Sequence, residues 1–365
     1  MKPFCSLIFL LVYMASQAQQ ETSSENLFII TTDGFRWQEV FSGADPELIG
    51  NPQFVQDSQL VKQLYWDNDV NLRRKKLMPF FWNTISTQGQ LYGNRLYANR
   101  IDVANFYKIS YPGYSEMLTG FPDPLFIPNI PLQNRNQNIL EWLNSKPGFK
   151  GKVAAFSSWN IFPAILNRNR NHLPINSGYE MLPEDSVQDN RLINEVQESV
   201  NDKKHTRFDL LTFLSAKQYI DRCHPRVVLV SFGETDEYAH SGRYDMYLQQ
   251  AAAVDKMIAE LWYYVQTNSF YRNKTTFLIT TDHGRGRNSN AWYRHGIFTR
   301  GSGEIWFALL GPQIAPVGEI KSSQQFYQKQ LASTMVKLLG ESYQGKPIQL
   351  SGPAGFNLLS AVDHH

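Results

Sequence analysis

Three apolar runs in this sequence have the character of buried β-strands, and each is followed shortly afterwards by side chains that bind metals. The runs cover residues 26–30, 227–232 and 276–280. The side chains that follow them are Asp33, Asp236, His240, Asp282 and His283. In an open parallel α/β sheet, ligands gather at the carboxyl ends of the strands. We therefore expect these side chains to converge on one crevice, and this convergence indicates a metalloenzyme.

Strand-like runs alternate with helical patterns from Asn26 onward, which predicts βαβ units around a central, mostly parallel sheet. Further strands are predicted at residues 152–156 and 305–310, and helices at 77–89, 138–143, 247–265 and 325–339. The chain has 365 residues, 42% of them apolar, which is enough to bury a full core. The sequence thus predicts an α/β protein.

The first 18 residues have the pattern of a secretory signal peptide, with Lys2, an apolar run over 4–14 and small residues before a cleavage site after Ala18. The run is far shorter than the ~20 residues that span a bilayer. We expect an exported protein, periplasmic or extracellular, without a transmembrane segment in the mature chain. Cleavage would leave Cys223 as the only cysteine, so no intramolecular disulfide would form.

Residues 19–365 are predicted to form a single catalytic domain. Two polar stretches within it, at about 41–71 and 167–206, fit the strand and helix pattern poorly. We interpret them as rim insertions over the active site. Because loops at a rim border the substrate, either stretch is placed to shape access to the site.

The charge pattern gives no reason to expect nucleic-acid binding. The formal net charge is +2, and the one basic cluster, at residues 73–76, is typical of a solvated face. The same charge pattern gives no reason to expect an anionic membrane as partner. The oligomeric state is left open by the sequence.

Ser110 is a candidate nucleophile. It opens a turn containing Pro112 and Gly113 that leads into a short helix ending at Gly120. A hydroxyl at a strand-to-helix turn lies at a helix N-terminus, where backbone N–H groups and the helix dipole favour phosphate or sulfate. The alternative is a simple N-cap, a role that serine often fills. His295, about a dozen residues beyond His283, joins the set as a candidate ligand.

In their order along the chain, these residues resemble the alkaline phosphatase superfamily, most closely its type I phosphodiesterase/nucleotide pyrophosphatase branch. In that branch a Thr-Phe-Pro-Asn segment containing the nucleophile runs on to a Thr-Gly pair. Here Ser110-Tyr111-Pro112-Gly113 runs on to Thr119-Gly120 at the same offset. The offset matches Ser110, rather than Ser115, to the nucleophile.

The resemblance implies a three-layer sandwich around the central sheet and a site for two divalent metal ions. One ion would be held by Asp236, His240 and His295, and the other by Asp33, Asp282 and His283, with Ser110 bridging toward the second. Histidine and carboxylate ligands suit Zn²⁺ best, and Mn²⁺ is the alternative. Ser110 would attack phosphorus, and water would then hydrolyse the phosphoseryl intermediate with net retention at phosphorus.

The expected substrate is a small-molecule phosphoester, with preference for a monoester or a diester left open. The asparagine that binds a nonbridging oxygen in nucleotide pyrophosphatases is Gly113 here, so that contact must come from elsewhere. Candidate cations near the predicted ligands are Lys108 and Arg294, together with Arg36, Arg285 and Arg287. Candidate aromatic contacts are Trp37, Tyr111 and Tyr114, for each of which core packing is the alternative.

Three other functions remain as alternatives. A sulfatase needs arginine four residues after its modified Cys or Ser, and that position holds Tyr114. A phosphoglycerate mutase needs a second half for which the chain has no room. An exported metal-binding protein of the same fold without turnover is the third alternative, and the presence of ligand-competent residues at all seven positions argues against it.

Overall fold

The computed structural model describes residues 23–125, 128–183 and 188–352. The predicted signal peptide, residues 1–18, lies outside the described residues. The described strands are β1 (Asn26–Thr32), β2 (Gln90–Tyr92), β3 (Asn99–Asp102), β4 (Val153–Ser157), β5 (Ile175–Ser177), β6 (Val227–Phe232), β7 (Thr275–Thr281), β8 (Glu304–Ile305), β9 (Phe307–Leu310), β10 (Gly318–Glu319) and β11 (Gln324–Tyr327).

The described α-helices are α1 (Trp37–Ser42), α2 (Ser58–Tyr65), α3 (Val70–Leu77), α4 (Ser86–Gln88), α5 (Ser110–Thr119), α6 (Ile139–Asn144), α7 (Phe162–Ile165), α8 (Gln188–Ser199), α9 (Asp209–Cys223), α10 (Glu234–His240), α11 (Tyr244–Thr267) and α12 (Gln330–Leu338). A π-helix covers Phe81–Ile85 and a 3₁₀ turn covers Arg95–Tyr97. None of the described helices combines the length and apolar character needed to cross a membrane.

The main sheet has the strand order β10-β2-β9-β7-β1-β6-β4-β5. Only β9 runs antiparallel to its neighbours, β2 and β7, and the other pairs in this sheet are parallel. The expectation of a mostly parallel sheet is confirmed. β1 lies at the centre, with Thr32 opposite Phe232 of β6 and Thr281 of β7, so the three strands end at the same level.

The sheet buries apolar side chains on both faces. In β1, Phe28 and Ile30 join one core cluster, while Leu27 and Ile29 join another. The first cluster takes in side chains of α9 and α11, and the second those of α5 and α12. Successive side chains of a strand point to opposite faces, so helices cover the sheet on both sides. The architecture is the predicted three-layer α/β sandwich.

The helix predicted over residues 77–89 is found over residues 79–88, but it begins two residues late and is irregular. α3 ends at Leu77, and the chain resumes as the π-helix and α4. Pro79 explains the break, because proline lacks an N–H donor and disfavours helical backbone at the preceding residue. The prediction of a helix over 325–339 was also wrong at its start: residues 324–327 form β11, which pairs with β3 in a small sheet ordered β11-β3-β8, and α12 begins at Gln330.

The two polar stretches differ in their relation to the sheet. Residues 167–206 supply the edge strand β5, which pairs with β4, as well as α8. In the other stretch, the ring of Phe54 lies 5.6 Å from that of Trp292, three residues before His295. This contact places residues around Phe54 beside the segment that carries a predicted ligand. The boundaries and role of both insertions remain predictions.

Asp255 of α11 should be important for stability because its buried carboxylate accepts hydrogen bonds from the amides of Phe80 (2.8 Å) and Phe81 (3.0 Å). Asp255→Ala would leave these donors unpaired, and we expect it to lower the free energy of unfolding by about 2–4 kcal/mol. Urea unfolding followed by tryptophan fluorescence measures this. Asp255→Asn, which keeps one acceptor oxygen, should lose less. The control Lys256→Ala, exposed on the same helix, should stay within about 0.5 kcal/mol, and an equally small loss in Asp255→Ala would refute the role.

Candidate active site and metal centre

The carboxyl ends of β1, β6 and β7 bring the predicted ligands together. Asp33 directly follows β1, and its amide donates to the carbonyl of Phe232 (2.9 Å). Asp282 directly follows β7, and its Oδ1 accepts a hydrogen bond from the amide of Gly34 (3.0 Å). The side chain of Thr235, at the start of α10, donates to the carbonyl of Asp33 (2.6 Å). These bonds tie the loops after the three strands to one another.

Ser110 lies among the ligands of β1 and β7. Its Oγ lies 3.4 Å from Asp33 Oδ1 and 3.2 Å from His283 Nε2, and the residue is 4% exposed. His283 Nδ1 lies 2.9 Å from the carbonyl oxygen of Gly284, which only accepts hydrogen bonds. Nδ1 therefore carries a proton, and Nε2 is directed at Ser110 and the carboxylates.

The predicted setting of Ser110 needs two corrections. The preceding strand, β3, belongs to the small sheet and ends at Asp102, so Ser110 does not follow a strand of the main sheet. The helix α5 also begins at Ser110 itself, so Pro112 and Gly113 lie in its first turn instead of in a turn before it. Proline is tolerated there because the amides of a first helical turn have no partner within the helix.

The N-terminus of α5 offers few backbone donors to an anion. The amide of Tyr111 donates to Asn129 Oδ1 (2.9 Å), and that of Gly113 donates to the carbonyl of Ile109 (3.0 Å). Pro112, between them, has no N–H. The amides of Tyr111 and Gly113 therefore already have partners, which weakens the sequence-based expectation that this helix N-terminus binds phosphate.

A buried carboxylate holds the loop before Ser110. Glu116 of α5 accepts hydrogen bonds from the amides of Ala104 (2.9 Å) and Asn105 (2.7 Å). Asn105 Oδ1 in turn accepts from the amide of Lys108 (2.9 Å), whose backbone is left-handed at φ +54°. Nothing in the spacing of Glu116 and Asn105 marks a contact made through a loop, so neither residue was predicted from the sequence.

One group of potential metal ligands consists of Asp236 and His240 of α10 and His295. One ligand atom from each lies within 4.8 Å of the others. His240 Nε2 lies 3.2 Å from Asp236 Oδ2 and 2.8 Å from His295 Nε2. His295 Nε2 lies 3.6 Å from Asp236 Oδ1. The spacing of Asp236 and His240 by four residues puts both on one face of α10.

A second group consists of Asp33, Asp236 and His283, again with ligand atoms within 4.8 Å of one another. Asp33 Oδ1 lies 3.4 Å from His283 Nε2, and Asp282 Oδ2 lies at the same distance of 3.4 Å from that nitrogen. The rings of His283 and His295 stack with centroids 4.1 Å apart. The two groups therefore adjoin, with the carboxylate of Asp236 in reach of both.

The donor set fits divalent cations. Asp282 Oδ2 is buried and has no hydrogen-bond donor among the described residues. Two imidazole nitrogens, of His240 and His295, face each other at 2.8 Å. Imidazole and carboxylate are the ligands that Zn²⁺ takes in proteins, and buried acid oxygens without donors are what a cation would satisfy. The described residues therefore contain two candidate clusters of ligands for divalent cations.

The pKa values in the site reflect burial and crowded charge. Burial raises the pKa of Asp282 to about 8, and the carboxylate of Asp33 adds to the shift. Burial acts to lower the pKa of His283, but Asp282 and Asp33 outweigh it and raise that pKa to about 9. Burial lowers the pKa of His295 well below its usual value, helped by the neighbouring cations. His295 is therefore neutral, with a lone pair free for a metal ion.

Arg285, which the sequence suggested as a candidate cation for substrate, is buried as the ion-pair partner of Asp236. Its guanidinium forms an ion pair with the Asp236 carboxylate and donates to the carbonyls of Gly34 (3.0 Å) and Tyr293 (3.0 Å). It is 1% exposed, and burial lowers its pKa to about 9. Arg285 therefore orients Asp236 from behind.

The other candidate cations divide into two kinds. Arg36 is buried in an ion pair with Glu39, and Arg287 pairs with Glu304. Lys108 and Arg294 have no carboxylate partner in the described part of the chain, and Arg294 lies over the ring of Tyr293 at 5.1 Å. Of the candidate aromatic contacts, Tyr111 and Tyr114 are buried in the core, which was the alternative given for them. The indole N–H of Trp37 donates to Glu304 (2.9 Å).

Asp209 supports the helix that carries two ligands. Its carboxylate accepts hydrogen bonds from the amide of Gly233 (2.7 Å), the hydroxyl of Ser158 (2.6 Å) and the side chain of Gln250 (2.7 Å). Burial, with the nearby carboxylate of Glu234, raises the pKa of Asp209 to about 7. Asp209 lies in α9, far in sequence from the ligands, and the sequence analysis missed it.

Several solved structures share this fold. The wild-type alkaline phosphatase PafA aligns with a TM-score of 0.57 and 10% sequence identity, over 90% of this chain and 98% of that one. The phosphonate monoester hydrolase SpPMH from Silicibacter pomeroyi aligns with a TM-score of 0.54 and 11% identity, over 89% of this chain and 76% of that one. A Vibrio parahaemolyticus protein of the alkaline phosphatase superfamily aligns with a TM-score of 0.51 and 12% identity, over 90% of this chain and 69% of that one.

No curated protein sequence matches the chain. At these low sequence identities, the structural similarity establishes the fold, which is that of the alkaline phosphatase superfamily. The sequence profile of the type I phosphodiesterase/nucleotide pyrophosphatase family matches residues 45–328, well over half of the chain. The protein is a hydrolase acting on phosphoric ester bonds, and it belongs to the type I phosphodiesterase/nucleotide pyrophosphatase family.

The backbone of Gly113 lies so close to the backbone of Asp282 that no side chain fits between them. A Cβ at this position would lie 2.5 Å from the Asp282 carbonyl oxygen, closer than real Cβ atoms approach other atoms. The carbonyl is also held by the side-chain amide of Gln328 (2.6 Å), so it has little room to move. The asparagine of the related enzymes therefore has no space here, which explains the departure from the family motif at Gly113.

We expect Gly113→Ala to displace Asp282. The amount of bound metal should fall, and the free energy of unfolding should fall by about 1–3 kcal/mol, which lowers the thermal midpoint. Metal per chain after dialysis and the thermal midpoint measure the two effects. Gly148→Ala is the matched control, since Gly148 is exposed and its Cβ would meet only Arg226 Nη1, at 3.4 Å. Full metal content and unaltered stability in Gly113→Ala would show that the contact is unimportant.

Proposed function

We propose that this phosphoester hydrolase uses Ser110 as its nucleophile, forms a phosphoseryl intermediate and depends on two divalent ions. The observation that carries the proposal is the position of Ser110 Oγ, within 3.4 Å of both Asp33 Oδ1 and His283 Nε2. A serine hydroxyl far from charged ligands would be a poor nucleophile at neutral pH. Here it lies buried among ligand groups at the start of a helix.

The proposed ligands of one ion are Asp236, His240 and His295, and those of the other are Asp33, Asp282, His283 and Ser110. The 3.4 Å distance from Asp282 Oδ2 to His283 Nε2 supports the place of Asp282 in the second set. Zinc is the proposed metal, because imidazole supplies three of the ligands, and manganese is the alternative. When bound, such ions stabilise negative charge on the attacking and leaving oxygens of an in-line displacement.

In this proposal the protein's own groups position the Ser110 oxygen, and the phosphoryl group is transferred to it. The Ser110 hydroxyl donates toward Asp33 Oδ1, which orients its oxygen for attack on phosphorus. The bond from Ser110 Oγ to phosphorus forms as the bond to the leaving alcohol breaks. Water then cleaves the phosphoseryl ester, freeing Ser110. Because each of the two displacements inverts phosphorus, the proposal includes net retention.

The site is proposed to take small-molecule phosphoesters, with monoesterase and diesterase activities nearly level. The free cation of Lys108, two residues before Ser110, supports binding of a dianionic monoester, and the family supports diesters. Export to the periplasm or the exterior is also part of the proposal. It is supported by the sequence pattern of residues 1–18 alone.

Replacing Ser110 by Ala should lower turnover of p-nitrophenyl phosphate and bis-p-nitrophenyl phosphate by on the order of 10³ or more, because no nucleophilic oxygen remains at this position. Metal content should stay nearly unchanged, since the acidic and imidazole ligands are retained. Ser115→Ala in the same helix is the control, and it should keep most activity. If Ser110→Ala kept full activity, Ser110 would not be the nucleophile.

Removal of metal should abolish hydrolysis of both esters. We expect about two ions per chain by elemental analysis, loss of activity on chelation, and recovery on adding Zn²⁺, since the clustered carboxylates and imidazoles repeat the ligand chemistry of a two-metal site. The ratio of the two ester rates then decides monoester against diester preference. Stoichiometric metal without turnover of either ester would favour the non-catalytic alternative, and turnover that survives chelation would contradict the metal dependence.

A further inference from the structure

A cavity of about 720 Å³ adjoins the proposed nucleophile segment and is strongly basic. Five cationic side chains line it: Arg95, Arg100, Lys108, Arg287 and Arg300. Its wall includes Lys108, two residues before Ser110, and Trp37, four residues after Asp33. The cavity therefore borders the segments that carry the proposed nucleophile and one proposed metal ligand.

Part of this positive charge is already balanced. The two acids of the lining are Asp102 and Glu304. Arg95 forms an ion pair with Asp102, and Arg287 forms one with Glu304. Glu304 is only 4% exposed and also accepts a hydrogen bond from the Trp37 indole (2.9 Å). Both acids are therefore engaged by their neighbours and leave the other cations uncompensated.

Three cations of the lining remain in surplus. Arg100, Lys108 and Arg300 have no carboxylate partner within the ranges that the structure describes, and Arg100 and Arg300 are exposed. The stem of Lys108 lies over Gly303, where a Cβ would be 3.5 Å from Lys108 Cε. Its left-handed backbone, at φ +54°, is held through Asn105. A conformation that is unfavourable for lysine and yet fixed by its surroundings is typical of functional sites.

We infer that this cavity is a subsite for a second anionic group, such as a carboxylate or phosphate, on the part of the substrate beyond the scissile phosphorus. The substrates would then be phosphoesters that carry another acidic group. Arginine and lysine bind such groups by charge-assisted hydrogen bonds, and a concave surface of one charge sign concentrates anions. The inference rests on the proposed function, since it extends the site around Ser110.

The test compares 4-carboxyphenyl phosphate with 4-carbamoylphenyl phosphate, which are nearly equal in size and differ in charge at one end. In the metal-loaded, full-length protein we expect kcat/KM to favour the carboxylate about tenfold, the effect of one charge-assisted contact. The double variant Arg100→Ala with Arg300→Ala should lower this ratio about fivefold or more, as expected for partly exposed contacts. Both side chains are exposed and unpaired among described residues, so their removal should leave the fold intact.

Arg191→Ala is the control for loss of surface charge, because the Arg191 side chain on α8 is 75% exposed; it removes one positive charge, where the double variant removes two. It should leave the ratio unchanged. Three results would overturn the inference: a ratio near one in the unaltered protein, a ratio retained in the double variant, or an equal drop in Arg191→Ala.

If neither monoester is hydrolysed, the subsite is tested by binding instead, and the proposed function fails only if bis-p-nitrophenyl phosphate is left intact as well. Calorimetric titration of the same metal-loaded protein would compare 4-carboxybenzylphosphonate with 4-carbamoylbenzylphosphonate, neither of which needs turnover. Tighter binding of the carboxylate, lost in the double variant, would support the subsite. Equal affinities would reject it.

Discussion

The in-register parallel pairing of β1 with β6 and β7 is the constraint on which the site depends. Thr32 lies opposite Phe232 and Thr281, so the acids that follow these strands emerge at one end of the sheet, where ligand atoms of Asp33 and Asp236 lie within 4.8 Å of each other. A slip of one residue in this pairing would turn every side chain of a strand to the other face and separate the ligands. Burial of both faces of β1, in two separate apolar clusters, opposes that slip.

Bringing three carboxylates together has an electrostatic cost that the structure meets with buried cationic groups. Arg285 pairs with Asp236, and the raised pKa of His283 reflects the fields of Asp282 and Asp33. Isolated buried charges are unfavourable unless they are paired or bind metal. The crowded negative charge of these carboxylates, which would be unfavourable in an apolar core, therefore favours binding of divalent cations at this edge of the sheet.

The proposed nucleophile is positioned by other contacts than the proposed ligands. Ser110 belongs to α5, and the loop before it hangs on the buried carboxylate of Glu116. α5 then meets the sheet through Gly113, whose lack of a side chain lets it contact the backbone of Asp282. Buried contacts thus hold the proposed nucleophile and ligands, while the basic cavity nearby is lined partly by exposed arginines. In the proposed site, buried groups would carry out the reaction and exposed arginines would select the substrate.

The sequence by itself determined the central strands β1, β4, β6 and β7, the acids that follow β1, β6 and β7 and the order of the seven candidate site residues, because hydrophobic runs and local spacing are properties of the chain itself. It determined the family resemblance for the same reason. Only the tertiary structure decided that α5 begins at Ser110, that Arg285 backs Asp236 while Lys108 stays unpaired, and that Asp209 and Glu116 support the site. These features depend on contacts between residues distant in sequence. A local pattern of charge or periodicity does not show which of two similar side chains, such as Arg285 and Lys108, is buried in an ion pair.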